Sequence, residues 1–264
     1  MSNVAFAVAA HPDDIEFMMG GTFLLLGRAG WRLHYMNIAN GSCGTASMGR
    51  EEIVAVRTRE ARAAAAFASA TFHPPLVDDI EIYYERALLA RLAAVMREVD
   101  PAILLLPSPQ DYMEDHMNAA RLAVTAAFCR GMRNFATDPP APPVETELAV
   151  YHAMPYGLTG PLRELIAPHF FVNITDVLAD KRRMLACHRS QKEWLDVSQG
   201  LDSYLRAMEE QSAAVGRMLG KFAFAEGWRR RMHLGFGGEG FDPLKDALAE
   251  MILESKENKP CPDR

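Results

Sequence analysis

The chain has 264 residues, of which 49% are hydrophobic and 23% charged, and its formal net charge is -6. That length buries a sizeable core and suits a single α/β unit. The acidic balance argues against a nucleic-acid binder, since the short runs Lys181-Arg182-Arg183 and Arg229-Arg230-Arg231 read as solvated helix surface. No apolar run is long enough to insert across a bilayer.

The four cysteines, Cys43, Cys129, Cys187 and Cys261, are scattered and form no CxxC pair, so neither a disulfide framework nor a cysteine zinc site follows. The N-terminal segment lacks the basic stretch of a secretion signal and soon meets charged residues. A reducing cytoplasm is the expected compartment.

In chain order, Val4 to Ala10 is a continuous apolar run and predicts a buried parallel strand, ending in His11-Pro12-Asp13-Asp14. A helix is predicted over about 15–29, stopped by Gly30. A second strand is predicted over 32–39, followed by the turn-rich loop Asn40-Gly41-Ser42-Cys43-Gly44-Thr45. An alanine-rich amphipathic helix follows over 50–69, then a short strand over 79–84 and a helix over 85–98. The stretch 102–107, AILLLP, predicts another buried strand, with a loop over 108–115, His116, and a helix over about 118–130. This alternation predicts an α/β fold with a Rossmann-like parallel sheet flanked by helices.

The texture changes at the proline-rich segment 138–143. Beyond it, strands are expected over 148–154 and 170–174, and helices over 178–195 and 203–219, giving a more helical C-terminal part. The whole is read as one domain over 1–264, with an α/β half at 1–137 carrying the chemistry and a substrate-side extension at 144–264.

In an open parallel sheet, ligands bind beyond the carboxyl ends of the strands. Two ionisable clusters sit at such ends. His11, Asp13 and Asp14 follow the first strand; Asp111, Tyr112, Glu114, Asp115 and His116 follow AILLLP. An imidazole and a carboxylate this close can share a divalent ion if the chain turns, and Pro12 favours a turn. A second imidazole from a neighbouring strand would leave coordination positions open for water and substrate. A spare carboxylate could then take a proton from water. Each cluster also has a plainer reading, as a cap for the helix that follows it.

AHPDDIEFMMGGT, with DYMEDHMNAARL about a hundred residues later, resembles the LmbE-like/PIG-L family of zinc N-deacetylases. The resemblance extends to the NGSCGT loop and the Arg57-x-x-Glu60-Ala61 pattern, and more weakly to KRRMLACHRSQ and Ala225-Glu226-Gly227. It implies an enzyme that removes an N-acetyl group from an amino-sugar-like small molecule, releasing acetate and a free amine. It implies zinc, or another divalent ion, on His11, Asp14 and His116, with Asp13 as general base. It places Arg57 against substrate, with Tyr112 as a candidate partner of the oxyanion. The substrate is a small N-acetylated molecule, and a homo-oligomer is compatible with the family.

One departure stands out. Many relatives carry HPDH at the second motif, and its first histidine is often assigned as general acid. Here the segment is MEDH, with Met113 in that place. Either Asp13 returns the proton itself or another group, such as His152 or Tyr112, substitutes. A zinc amidohydrolase for a non-sugar amide and an inactive binding homologue are the alternatives.

Overall fold

The computed structural model describes residues 3–192 and 203–255. Strand β1 (Val4–Ala9), β2 (Arg32–Asn37), β3 (Thr71–His73), β4 (Ile103–Leu106) and β5 (Ala149–Ala153) run parallel. They alternate with helices α1 (Asp14–Arg28), α2 (Arg50–Phe67), α3 (Arg86–Val99) and α4 (Glu114–Cys129). After β5 come β6 (Phe170–Asn173), α5 (Leu178–Leu185), α6 (Ser203–Leu219), β7 (Ala225–Arg230), α7 (Pro243–Ala247) and β8 (Ile252–Glu254). All eight strands join one sheet in the order β3-β2-β1-β4-β5-β7-β6-β8.

The core lies on both faces of this sheet, as the side-chain alternation of its central strands requires. In β1, Ala5, Ala7 and Ala9 face one apolar layer while Val4, Phe6 and Val8 face the other. β4 divides likewise, Ile103 and Leu105 from Leu104 and Leu106. Helices α1, α2, α5 and α6 cover the first face, α3 and α4 the second. The small β1 side chains of the first layer leave room for α1, whose Phe23 and Leu26 are fully buried there.

Several local expectations need correction. The segment 79–84 forms no strand; the edge strand is Thr71–His73 instead. Asp79 spends its carboxylate on the N–H groups of Gly41 (2.7 Å) and Cys43 (2.9 Å), and the Ile80 N–H goes to Asp115. With the Asp79 N–H also given to the Ser42 hydroxyl, these two backbone donors are committed away from a sheet ladder. The helix expected over 178–195 is interrupted at 186–188, and its last three residues lie outside the described residues. The C-terminal part also holds more sheet than expected: β7 and β8 join β6, and all three pair antiparallel. Arg229 and Arg230 belong to β7, not to a helix, and Lys181 is buried.

β7 is docked onto α1 by polar contacts. The Glu226 carboxylate accepts from the N–H groups of Gly21 and Thr22, each at 2.7 Å, and from Lys181 Nζ at 2.7 Å. The Trp228 indole N–H donates to the Thr22 hydroxyl at 2.9 Å. A Cβ at Gly21 would come within 2.6 Å of Ile174, so only glycine allows this approach.

Neighbours β1 and β4 place their carboxyl ends side by side (Ala5 opposite Ile103, Ala7 opposite Leu105). From β1 the chain winds outward through β2 and β3 on one side, and through β4 and β5 on the other. The loops after β1 and β4 therefore face each other across the point where the winding reverses, the usual crevice of an open α/β sheet.

Candidate metal centre

At the end of β1 the chain turns sharply. Asp13 has φ of 106°, a left-handed conformation that is uncommon for a residue with a side chain. The turn sends the Asp14 carboxylate back to accept the His11 N–H at 2.7 Å, and places Asp14 as the first residue of α1. The helix N-terminus favours a negative charge at that position. Asn37, from β2, donates its amide to the His11 carbonyl at 2.6 Å and fixes the turn from the other side.

At the end of β4, Met113 is the N-cap of α4, so His116 projects from the first helical turn. The structure brings His11, Asp14 and His116 together: one donor atom from each lies within 4.8 Å of the others. The two oxygens of Asp14 face different imidazoles, Oδ2 towards His11 Nδ1 (3.6 Å) and Oδ1 towards His116 Nε2 (3.3 Å). The other nitrogen of each ring is held by a buried carboxylate. His11 Nε2 meets Asp115 at 2.9 Å and His116 Nδ1 meets Asp111 at 3.0 Å. Such carboxylate–imidazole pairs orient a ring so that its free nitrogen is presented to a metal. Two imidazoles and a carboxylate, all buried and converging, are a donor set that fits a divalent ion with positions left open.

The electrostatics point the same way. Burial opposes charge on His11, but Asp115 and Asp14 prevail and lift its pKa to about 9. Burial likewise opposes charge on His116, and Asp14 and Asp111 raise it to about 11. Burial works against the charge on Asp14, yet the two imidazoles hold it well below the ordinary carboxylate range. The cluster is a nest of carboxylates that demands positive charge.

Asp13 sits beside this group. Its own pKa is raised, because burial and the Asp14 charge outweigh Arg57. Arg57 donates to the Pro12 carbonyl and lies 3.3 Å from Asp13 Oδ2. The NGSCGT loop wraps the Arg57 guanidinium: a Cβ at Gly41 would come within 2.7 Å of its Nε, and one at Gly44 within 2.2 Å of a terminal nitrogen. Gln191 closes the wrap by donating to the Gly44 carbonyl at 2.7 Å. Arg57 is only 3% exposed, so its visible task is to hold the HPDD turn and its carboxylate.

These groups floor a cleft of about 680 Å³, whose lining includes Asp13, Arg57, Tyr112, Met113 and His116. Met113 thus occupies the cleft with no imidazole in its place. Tyr112 stands at the rim, edge-on to the His116 ring at 5.7 Å. His152 is not brought to the cleft lining: it is buried in β5, with Nδ1 2.8 Å from the Pro107 carbonyl. Burial drives its pKa down to about 4. The structure thus does not bring His152, the expected alternative proton source, into the cleft lining.

Three contributors carried no readable local signal. Asp111 and Asp115 were visible as acidic residues, but nothing in their spacing shows which ring each one holds. Tyr204, from α6, lines the cleft and hydrogen-bonds Asp13, although about 190 residues separate them in the chain. Burial and the Asp13 charge raise its phenol well above the ordinary value, so it keeps its proton.

Residues 6–127 match the family profile described as PIG-L, GlcNAc-PI de-N-acetylase. A diacetylchitobiose deacetylase from Thermococcus kodakarensis is 28% identical over 228 residues, covering 84% of this chain and 80% of that protein. A 4-oxalmesaconate hydratase from Pseudomonas putida is 28% identical over 196 residues, covering 71% of this chain and 74% of that one. Among solved structures, the N,N'-diacetylchitobiose deacetylase from Pyrococcus horikoshii superposes with a TM-score of 0.74 at 22% identity, covering 92% of this chain and 88% of that one. Its likeness supports the eight-stranded α/β architecture. Among the described residues, no helix is long and apolar enough to cross a membrane. The strand–HPDD–helix and strand–EDH geometry both lie within residues 6–127, the stretch that is similar to the PIG-L, GlcNAc-PI de-N-acetylase family.

Proposed function

We propose that the protein is a metal-dependent N-deacetylase that cleaves the acetamide of an amino-sugar-like small molecule into acetate and a free amine. The observation that carries this reading is the strained Asp13, a carboxylate held beside three converging metal donors at the floor of a cleft. The similarity to a diacetylchitobiose deacetylase over most of both chains supports the substrate class. The scattered spacing of the cysteines in the sequence, with no CxxC pair, supports a cytoplasmic setting as part of this reading.

His11, Asp14 and His116 would hold the ion, and two imidazoles with one carboxylate favour zinc. When bound, the ion supplies Lewis-acid polarisation of the acyl oxygen and acidifies water. Asp13 takes a proton as the water oxygen bonds to the amide carbon. Its raised pKa suits a group that must hold that proton and then give it up. The same carboxyl then delivers the proton to the nitrogen as the C–N bond breaks, so the amine leaves neutral. Arg57 and the Tyr204 hydroxyl keep the carboxylate aimed through the cycle, and Tyr112 at the rim is placed to steady the substrate.

Zinc-loaded protein offered a panel of N-acetylated amino sugars should release acetate from at least one. Asp13→Asn should keep its metal and lose on the order of a hundredfold or more in rate. No acetate from any member of the panel at full metal content, or near-normal turnover by Asp13→Asn, would overturn the proposal.

A further inference from the structure

The cleft has a polar floor and apolar walls, and one wall is built at a conformational cost. Ile80 has φ of 65°, in the left-handed region. For a β-branched side chain that is a true outlier, which persists only where the surroundings impose it. Here they do: the Ile80 N–H donates at 2.7 Å to Asp115, the carboxylate that orients His11. The consequence is that the Ile80 side chain is turned into the cleft mouth, where it is 58% exposed. Glycine would satisfy the backbone requirement without strain. An isoleucine held there presents an apolar surface to whatever enters.

Met113 lies on the same lining, three residues before His116, and Met18 and Phe17 extend it along α1. Tyr112 and Tyr156 stand edge to face at 6.0 Å at the rim and offer ring surfaces to stack against. The nearby Asp79 carboxylate is already occupied by two backbone N–H groups, so it is not free to bind sugar hydroxyls. An acetyl group is far smaller than a cleft of about 680 Å³.

Resting on the deacetylase reading, we propose that Ile80 and Met113 form a subsite for an apolar, aryl-like substituent carried on the amine side of the substrate. The acyl side is filled by acetyl alone, which leaves these walls to the amine-bearing body. The subsite selects amino sugars linked to an apolar group over free amino sugars.

The test uses ligands with no amide to cleave, so that binding is read apart from turnover. Calorimetry on the zinc-loaded full chain compares 4-nitrophenyl β-glucoside with methyl β-glucoside. The aryl glucoside should bind at least about tenfold more tightly, from apolar area removed from water. Ile80→Gly, which fits the backbone and keeps the fold, and Met113→Gln should each cut that preference to about threefold or less. Equal affinities in the parent protein, or an undiminished preference in both variants, would overturn the assignment. So would a gain in affinity from acetate to octanoate as large as the aryl gain, which places the apolar group on the acyl side. Failure of acetate release would sink the deacetylase reading, and this binding ratio is measured independently of it.

Discussion

Helix α1 carries one buried ionic cluster at its first turn and another at its midpoint, and they differ in charge balance. At the midpoint, Glu226 meets Lys181 and two backbone N–H groups, all at 2.7 Å, so one anion faces one cation with its lone pairs used. At the first turn, Asp13, Asp14, Asp111 and Asp115 gather around two imidazoles and a single guanidinium, and both imidazoles are pushed far towards the charged form. A buried cluster that the protein neutralises by itself is a brace. One that it leaves short of positive charge is a place for a cation.

Breaking the brace should produce the largest effect on stability. Lys181→Met keeps the volume but leaves Glu226 buried without its cation, which typically costs about 3–5 kcal/mol. Thermal unfolding should show the loss, while the folded fraction still binds one equivalent of metal. A variant as stable as the parent would show that the two N–H groups suffice for Glu226.

The first-turn cluster should respond in the opposite sense. Asp111→Asn preserves shape, removes one anion, and weakens the hold on the His116 ring. Metal affinity should fall by about 10- to 100-fold, with unfolding temperature little changed. A stability loss as large as that of Lys181→Met, with affinity intact, would make Asp111 part of the framework.

Between the two clusters lies a third pair, His188 and Glu16, both fully buried and 3.2 Å apart. Burial disfavours the charged imidazole, but Glu16 prevails and raises its pKa, with Asp13 adding to the effect and Arg57 opposing it. A folded pKa above the unfolded value means that the stabilisation is fully present below about pH 6.5 and is lost as pH rises through the folded value. The gap in unfolding temperature between the parent and His188→Gln should therefore narrow with rising pH. A gap that widens would mean that His188 is buried neutral.

The first-turn cluster was legible because its strongest cues are local. An apolar run that stops at a proline and two aspartates marks a strand end, and the second run does the same before EDH. The brace was far less legible. β7 reads AEGWRR, with no apolar alternation, and is a strand because Glu226 and Trp228 are consumed by α1. Alternation misled in the other direction at 79–84, where Ile80 and Ile82 imitate a strand while the Asp79 N–H goes to the Ser42 hydroxyl and the Ile80 N–H to Asp115. Periodicity records which residues are apolar. It does not record which polar groups will claim the backbone.

Met113 supplies the smallest effect and the sharpest question about the first-turn cluster. If Asp13 both takes and returns the proton, restoring an imidazole at 113 should change kcat/KM for a hydrophilic N-acetyl amino sugar by less than about threefold. The geometry gives a reason: the Asp13 carboxyl is already raised by burial and by the adjacent Asp14, so it can hold the proton for the leaving amine without a second acid. A positioned general acid contributes about 100- to 10,000-fold, so a gain of that size from Met113→His would show that proton return to the amine limits the parent enzyme. Asp13 would then be a base alone.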